Sequence, residues 1–331
     1  MPEGPLVSPL GAVVGGVVVG ALGLAVIAWL RHHRGQSEAV PAVKKRPEPT
    51  SQVQLVEHLV WIKMLSHPSA IAAFSAVDRA RYVNYELAEA AFAELNPYAD
   101  LALPIGFNAT LSSPHMHALA LDLLAGVLAP GDCVLDIGSG SGFMTACLAH
   151  MVGGQGRVHG VEHITELAEQ GKGNVSAGNP QLLPRVQFHV GDGFDGLEEK
   201  APFKAIYVGA AAPSLGEVQK LVDQLTTGGR MIIPVGSREG FHQLLQVDVK
   251  EDGTVAVKNH GTVRFVPLTS KKTQMEADVT SGIAQPITLA SGKQAFVRTY
   301  IVPAPDTSIE DYRILRTELK IKQQQQQQQQ Q

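Results

Sequence analysis

Hydrophobic and polar positions alternate with three different rhythms along this chain. Leu10 to Leu30 is a run of 21 residues without a charged side chain, which as a helix at about 1.5 Å per residue would match the roughly 30 Å hydrocarbon layer of a bilayer. Trp29 closes the run and Arg31, His32, His33 and Arg34 follow, with Lys44, Lys45 and Arg46 beyond, while no Lys or Arg precedes it. By the positive-inside bias the run reads as a single-pass membrane anchor, with the rest of the chain on the cytosolic side. A signal peptide would need a basic start that is lacking here, and a buried core helix is the other alternative. The spacings Gly11/Gly15 and Gly16/Gly20 would let two such helices pack closely. Residues 35–50 are polar, Pro-bearing and aperiodic, and read as a linker.

Past the linker the rhythm becomes helical. Val53, Val56, Leu59 and Val60 set a stripe over residues 52–64, and a second helix is expected over about 70–80. From Cys133 onward short apolar runs alternate with helical stretches. Residues 133–137, 157–161, 186–190, 204–208 and 230–235 read as strands, and 143–151, 164–177 and 214–226 as helices. This alternation predicts right-handed βαβ units wrapped into a parallel sheet with helices on both faces. Asp252-Gly253 between two apolar runs predicts a hairpin that adds antiparallel strands at one edge. Near the end lie a possible strand over Ala295–Val302, an amphipathic helix over Ser308–Lys322, and nine glutamines, Gln323–Gln331, with nothing to bury.

Composition narrows this picture. With 331 residues the length suggests two domains, but the periodic part supports one catalytic domain of about 220 residues with appendages. A net charge of −4 leaves no global basic field for nucleic acid. Cys133 and Cys147 are too few for a disulfide framework. The glycines and prolines lack a triplet period, which excludes collagen.

The first candidate site follows strand 133–137. It ends in Asp136-Ile137 and runs into Gly138-Ser139-Gly140-Ser141-Gly142 before a helix. Such a loop lets a ligand approach the backbone at a helix N-terminus and the strand ends. A dinucleotide fingerprint needs glycine where Phe143 stands, so a dehydrogenase reading is disfavoured. A carboxylate such as Asp136 is poorly placed beside a pyrophosphate but attracts an ammonium or a sulfonium. Glu162, at the end of the second strand, suits the two hydroxyls of a ribose, and Asp192 in Gly191-Asp192-Gly193 suits an adenine amino group. The second candidate lies upstream, from Ile105-Gly106-Phe107-Asn108 to Ser112-Ser113-Pro114-His115-Met116-His117. Ser113 reads as an N-cap and Pro114 as the first helical residue, with Leu119, Leu123, Leu124 and Val127 as the buried stripe. His115 and His117 point about 200° apart on a helix and cannot share a metal, and neither a CxxC pair nor a GxSxG elbow is present.

The stretches IGFNATLSSPHMHALALDLL, VLDIGSGSGFMTACLAHMVG, VGDG, YVGAAAP, GGRMIIPVG and VRFVPLT resemble the protein-L-isoaspartate (D-aspartate) O-methyltransferase family over about Gln52–Thr269. The resemblance implies an α/β fold of the Rossmann-like class I methyltransferase type, a doubly wound, seven-stranded mixed sheet with helices on both faces, here preceded by the transmembrane helix. It implies S-adenosyl-L-methionine as cofactor and no metal. Matched by position, Ser112 is the active-site serine; Ile105, Gly106, Phe107 and Asn108 line the cleft; and Asp136, Gly138, Ser139, Gly140 and Gly142 hold the methionine end. Glu162 and His163 fall at the ribose, Asp192 and Gly193 at the adenine, and Thr269 closes the site. The implied partners are isoaspartyl-containing proteins and peptides, whose free α-carboxylate is methylated so that the ester closes to a succinimide and repair begins. Residues 1–50 are then anchor and linker, 51–272 the methyltransferase domain, and 273–322 an extension. Tyr82 to Leu95 is longer than the family's usual link, and Phe194 after the GDG is unexpected. Two rival readings are a methyltransferase for another carboxylate or small molecule, and a non-catalytic module that binds isoaspartyl proteins.

Overall fold

The computed structural model describes residues 47–91, 95–238, 240–280, 284–288 and 294–298. Helices α1 (Gln52–Trp61), α2 (Pro68–Ala76) and α3 (Tyr85–Ala91) come first. A small antiparallel hairpin, β1 (Leu103–Gly106) and β2 (Ala109–Leu111), precedes α4 (Pro114–Ala125). The βαβ part follows as β3 (Cys133–Ile137), α5 (Phe143–Met151), β4 (Arg157–Glu162), α6 (Thr165–Gly178), β5 (Val186–Val190), β6 (Phe203–Val208), α7 (Gln219–Asp223) and β7 (Leu225–Val235). Then come β8 (His242–Val249), β9 (Val255–Val263), α8 (Lys271–Thr280) and a separate hairpin of β10 (Ala284–Thr288) and β11 (Gln294–Arg298).

The main sheet has seven strands in the order β5-β4-β3-β6-β7-β8-β9, parallel from β5 to β7 and antiparallel beyond. The expected mixed, doubly wound sheet is therefore present. Period-two alternation splits its side chains between two cores. Val134, Val158, Ala205, Tyr207 and Ile232 pack under α1, α2, α4, α5 and α6. Leu135, Val161, Ile206, Val208 and Met231 pack on the other face with Val218, Leu221 and Val222. Chain order reverses on either side of β3, between β4 and β6, which opens a crevice at the strands' carboxyl ends.

Several expectations need correction. The helix expected over 214–226 is reduced to a 3-10 turn at Gly216–Val218 and α7. Leu225, which completes the helical spacing, instead pairs with Phe203 and opens β7. Ser113 occupies the N-cap of α4 without a side-chain cap bond; Asp100 takes that role, accepting from the His115 amide at 3.0 Å. The buried stripe of α4 is Ala118, Leu121, Leu124 and Ala125, one step round from the expected leucines, of which only Leu124 is buried. The single-pass membrane localisation with its cytosolic orientation is also corrected. Among the described residues no helix is long and apolar enough to cross a membrane. The longest, α6, has 14 residues, about 21 Å at 1.5 Å per residue. The run Leu10–Leu30, most of the linker, the helix expected over Ser308–Lys322 and the glutamine tail lie outside the described residues.

Candidate active site

Gly138 to Gly142 turn the chain from β3 into α5. Gly142 has φ +80°, and a Cβ there would meet the Gly171 carbonyl oxygen of α6 at 2.8 Å, so glycine is required both by conformation and by the helix crossing. Ile105 of β1 packs onto this loop, close enough that a Cβ at Gly140 would touch its Cδ1 at 2.9 Å. The β1–β2 turn is made by Phe107 and Asn108, both left-handed at φ 51° and 60°. From the other side the strap 265–269 is docked on the loop after β6 by Ala211 N–H donating to Val266 O and Leu268 N–H donating to Ala211 O, both 2.8 Å.

Three adjoining cavities open between these pieces, all bordered by Thr110 and Gly209. The largest encloses about 560 Å³ and is lined by Ile105, Gly138, Gly140, Glu162, His163, Gly193, Thr269 and Gln274, among others. The second, about 310 Å³, is lined by Ser112, His117, Gly138, Ser139, Gly140 and Tyr207. The third, about 360 Å³, is lined by Ser112 as well, with Ala102, Met116, Arg264 and Phe265. Ser112 thus borders the last two.

The carboxylates behave differently from one another. Glu162 is buried, with its two oxygens accepting from the Gly140 amide at 3.2 Å and the Ile164 amide at 3.1 Å; burial raises its pKa above the usual carboxylate range. It lines the main cleft. Asp136 is fully buried and lines none of the cavities; its Oδ2 accepts from Thr145 Oγ1 at 2.5 Å. Strand alternation puts Asp136 on the face of Val134, under α5, instead of at the lip. Burial, opposed by the Thr145 bond and reinforced by nearby Glu162, pushes its pKa up to about 7. Asp192 is exposed and caps its own turn, accepting from the Phe194 amide at 3.0 Å.

Gly106, Phe107, Asn108 and Gly142 line none of the three cavities, while Ile105, Ser112, Gly138, Ser139, Gly140, Glu162, His163, Gly193 and Thr269 face them. Thr269 Oγ1 accepts from Arg238. The second candidate stretch contains Thr110 and His117, though without a role for either at a cavity; sequence reasoning missed Tyr207, Arg264 and Gln274. Gln274, on α8, donates to Phe107 O at 2.7 Å, accepts at its backbone oxygen from Asn108 Nδ2 at 2.8 Å, and pairs its Oε1 with His163 Nε2 at 2.8 Å. It ties the β1–β2 turn to the end of β4 across the cleft mouth. α8 extends across residue 272, the expected end of the domain.

Ser112 is held from below by Arg79. This fully buried guanidinium donates to Pro97 O at 3.0 Å, Ser112 O at 2.8 Å and Leu101 O at 3.0 Å. Burial outweighs the attraction of Asp100 and brings its pKa down to about 9, so it stays charged at neutral pH. The His115 ring and backbone bonds outweigh burial at Asp100 and hold its carboxyl below the usual range.

Among the described residues six buried side-chain atoms lack a hydrogen bond, and four of them belong to one neighbourhood: His117 Nδ1, Asp136 Oδ1, Ser139 Oγ and Tyr207 Oη. Buried polar groups are normally paired, so this cluster is built for a polar ligand.

Fold and site together define a Rossmann-like class I methyltransferase, with a mixed central sheet and flanking helices. The profile of the protein-L-isoaspartate(D-aspartate) O-methyltransferase (PCMT) family matches residues 50–273. Protein-L-isoaspartate O-methyltransferase 1 of Arabidopsis thaliana is 44% identical over 227 residues, covering 68% of this chain and 94% of the relative. The Caenorhabditis elegans protein-L-isoaspartate O-methyltransferase is 40% identical over 231 residues, covering 69% and 97%. A solved Plasmodium falciparum beta-aspartate methyltransferase (PCMT), in complex with S-adenosyl-L-homocysteine, superposes with a TM-score of 0.58 at 30% identity, covering 67% of this chain and 99% of that one. The chain belongs to the protein-L-isoaspartate O-methyltransferase family and is an enzyme of that kind.

Proposed function

We propose that this site transfers a methyl group from S-adenosyl-L-methionine to the free α-carboxylate of isoaspartyl residues in damaged proteins, initiating their repair. The observation that carries this reading is that Ser112 borders two cavities, one also lined by His117, Ser139 and Tyr207 with their unpaired buried polar atoms and the other by Arg264. S-adenosyl-L-methionine supplies an electrophilic methyl on a sulfonium. The residues fit it. The unpaired atoms of His117 and Ser139 answer an amino-acid end, with the buried Asp136 carboxyl nearby for its charge, and Glu162, His163, Gly193 and Thr269 line the space for a nucleoside. Ile105 and Gln274 wall that space, Gly106 to Asn108 shape the turn beside Ile105, Gly138 to Gly142 let the ligand come close to the backbone, and Asp192 follows β5 next to Gly193.

An acceptor carboxylate has a pKa near 4 and is already nucleophilic at neutral pH, so no general base is needed. The protein's contribution is orientation and exclusion of water, effects worth up to roughly 7–11 kcal/mol in well-aligned reactions. Ser112 donates a hydrogen bond that aims the carboxylate, and Arg79 fixes the backbone that carries it. Residues 51–272 form the methyltransferase domain, a reading supported by the extent of the family match, with 273–322 as an extension and 323–331 as a glutamine tail.

The full chain incubated with methyl-labelled S-adenosyl-L-methionine should label an isoaspartyl peptide as a base-labile ester and leave the matching aspartyl peptide unlabelled. Ser112→Ala should lower kcat while cofactor affinity is kept. Labelling of a different acceptor without labelling of the isoaspartyl peptide would overturn the assignment.

A further inference from the structure

Tyr207 carries a polar atom that neither the cofactor reading nor the fold accounts for. It ends β6, is 2% exposed, and packs its ring into the core beneath α4 and α5. Its Oη makes no hydrogen bond, yet the side chain opens onto the same cavity as Ser112 and His117. A tyrosine serving only as core would be served as well by phenylalanine, without a buried hydroxyl left unpaired. The hydroxyl is also fixed in its role. Burial first, and then the neighbouring Asp136, push the phenol far above its ordinary range, while the Ser112 side chain acts on it in the opposite sense. At any working pH the group is an O–H donor beside the Ser112 hydroxyl.

We propose that Tyr207 is a positioning residue for methyl transfer: its phenol donates a hydrogen bond to the Ser112 hydroxyl oxygen, which leaves the serine proton for the acceptor carboxylate. A serine hydroxyl rotates freely and can point its proton several ways. Occupying one of its lone pairs from below, out of β6, directs the proton up into the acceptor cavity. The chain of donors then runs from Tyr207 through Ser112 to the carboxylate, and the last bond, to a charged acceptor, is the strong one. Tyr207 acts through Ser112 and touches neither reacting atom. This rests on the isoaspartate reading above.

The test is Tyr207→Phe in the full chain, measured beside the wild type, Ser112→Ala and the double variant with an isoaspartyl peptide. Expected is a kcat lower by roughly 2- to 10-fold, the range of a hydrogen bond between neutral groups. The dissociation constant for S-adenosyl-L-homocysteine should be unchanged. The midpoint of thermal unfolding should be little changed, because the ring and its packing in the core are kept. In the Ser112→Ala background the same change should have no further effect on kcat, since the two residues act in series. Equal kcat in Tyr207→Phe and active wild type overturns the proposal, as does a multiplicative loss in the double variant. A fall in the unfolding midpoint larger than the loss of one hydrogen bond assigns Tyr207 to the core, and weaker binding of S-adenosyl-L-homocysteine assigns it to the cofactor; either result overturns it too. A wild type that forms no ester overturns the isoaspartate reading and this proposal together, which separates the two failures.

Discussion

Replacing Asp136 by Asn should remove most of a pH dependence of stability that the wild type carries near neutrality. Asp136 is fully buried, with Thr145 Oγ1 on Oδ2 and nothing on Oδ1, and its pKa stands at about 7 against 3.8 for the free group. A carboxyl whose folded pKa is raised binds its proton more tightly in the native state than in the unfolded chain. The stability so gained is whole below about pH 4 and is lost as pH rises through about 7. Three units at roughly 1.4 kcal/mol each give about 4 kcal/mol in all, more than half of it between pH 5 and pH 8. Asn keeps an oxygen for Thr145 and cannot ionise. Urea denaturation of both chains at several pH values between 5 and 8 isolates the effect, because other carboxylates such as Asp100 cancel in the difference. The wild type should lose roughly 2–3 kcal/mol relative to Asp136→Asn across that range. A difference that stays constant with pH would refute the burial of a neutral carboxyl at this position. A cationic ligand should reverse the trend, since an ionised Asp136 would then be favoured; stabilisation by S-adenosyl-L-methionine should grow as pH rises.

Two further outcomes follow from the same geometry. Gln274→Ala removes the two side-chain bonds across the cleft mouth, to Phe107 O and His163 Nε2, and keeps the backbone oxygen that accepts from Asn108; S-adenosyl-L-homocysteine should bind about 5- to 150-fold more weakly by calorimetry, at about 0.5–1.5 kcal/mol per bond. Arg79→Met leaves three buried carbonyls without their donor, and urea denaturation should show a loss of about 3–5 kcal/mol.

The strands of the parallel half were legible because alternation of apolar residues is a local property that the backbone enforces over five or six positions. Residues 133–137, 186–190 and the helix 143–151 appear in the structure with the expected limits. The glycine loop was legible for a similar reason, since the turn from β3 into α5 cannot be made or packed against Gly171 with larger residues. Ser112 was found through family likeness; spacing alone offered only a cap at Ser113. The helix expected over 214–226 failed where a helical spacing met a strand partner, Leu225 against Phe203. A periodicity cannot reveal that a neighbour far along the chain will claim its last residue.

The sequence by itself determined the class of fold, the crevice beside β3 and the chemistry of the residues offered to it. Only the tertiary structure decided which of those residues meet. His117, Tyr207 and Gln274 lie on α4, β6 and α8, and no local pattern joins them; sheet order and crossovers bring them to the cavities around Gly209. The same packing turned Asp136 away from the lip and under α5, where Thr145 holds it. A strand's pleat sets two faces, but the faces acquire meaning only when something is packed against each. Whether a carboxylate there meets solvent, a ligand or a threonine is settled by that packing.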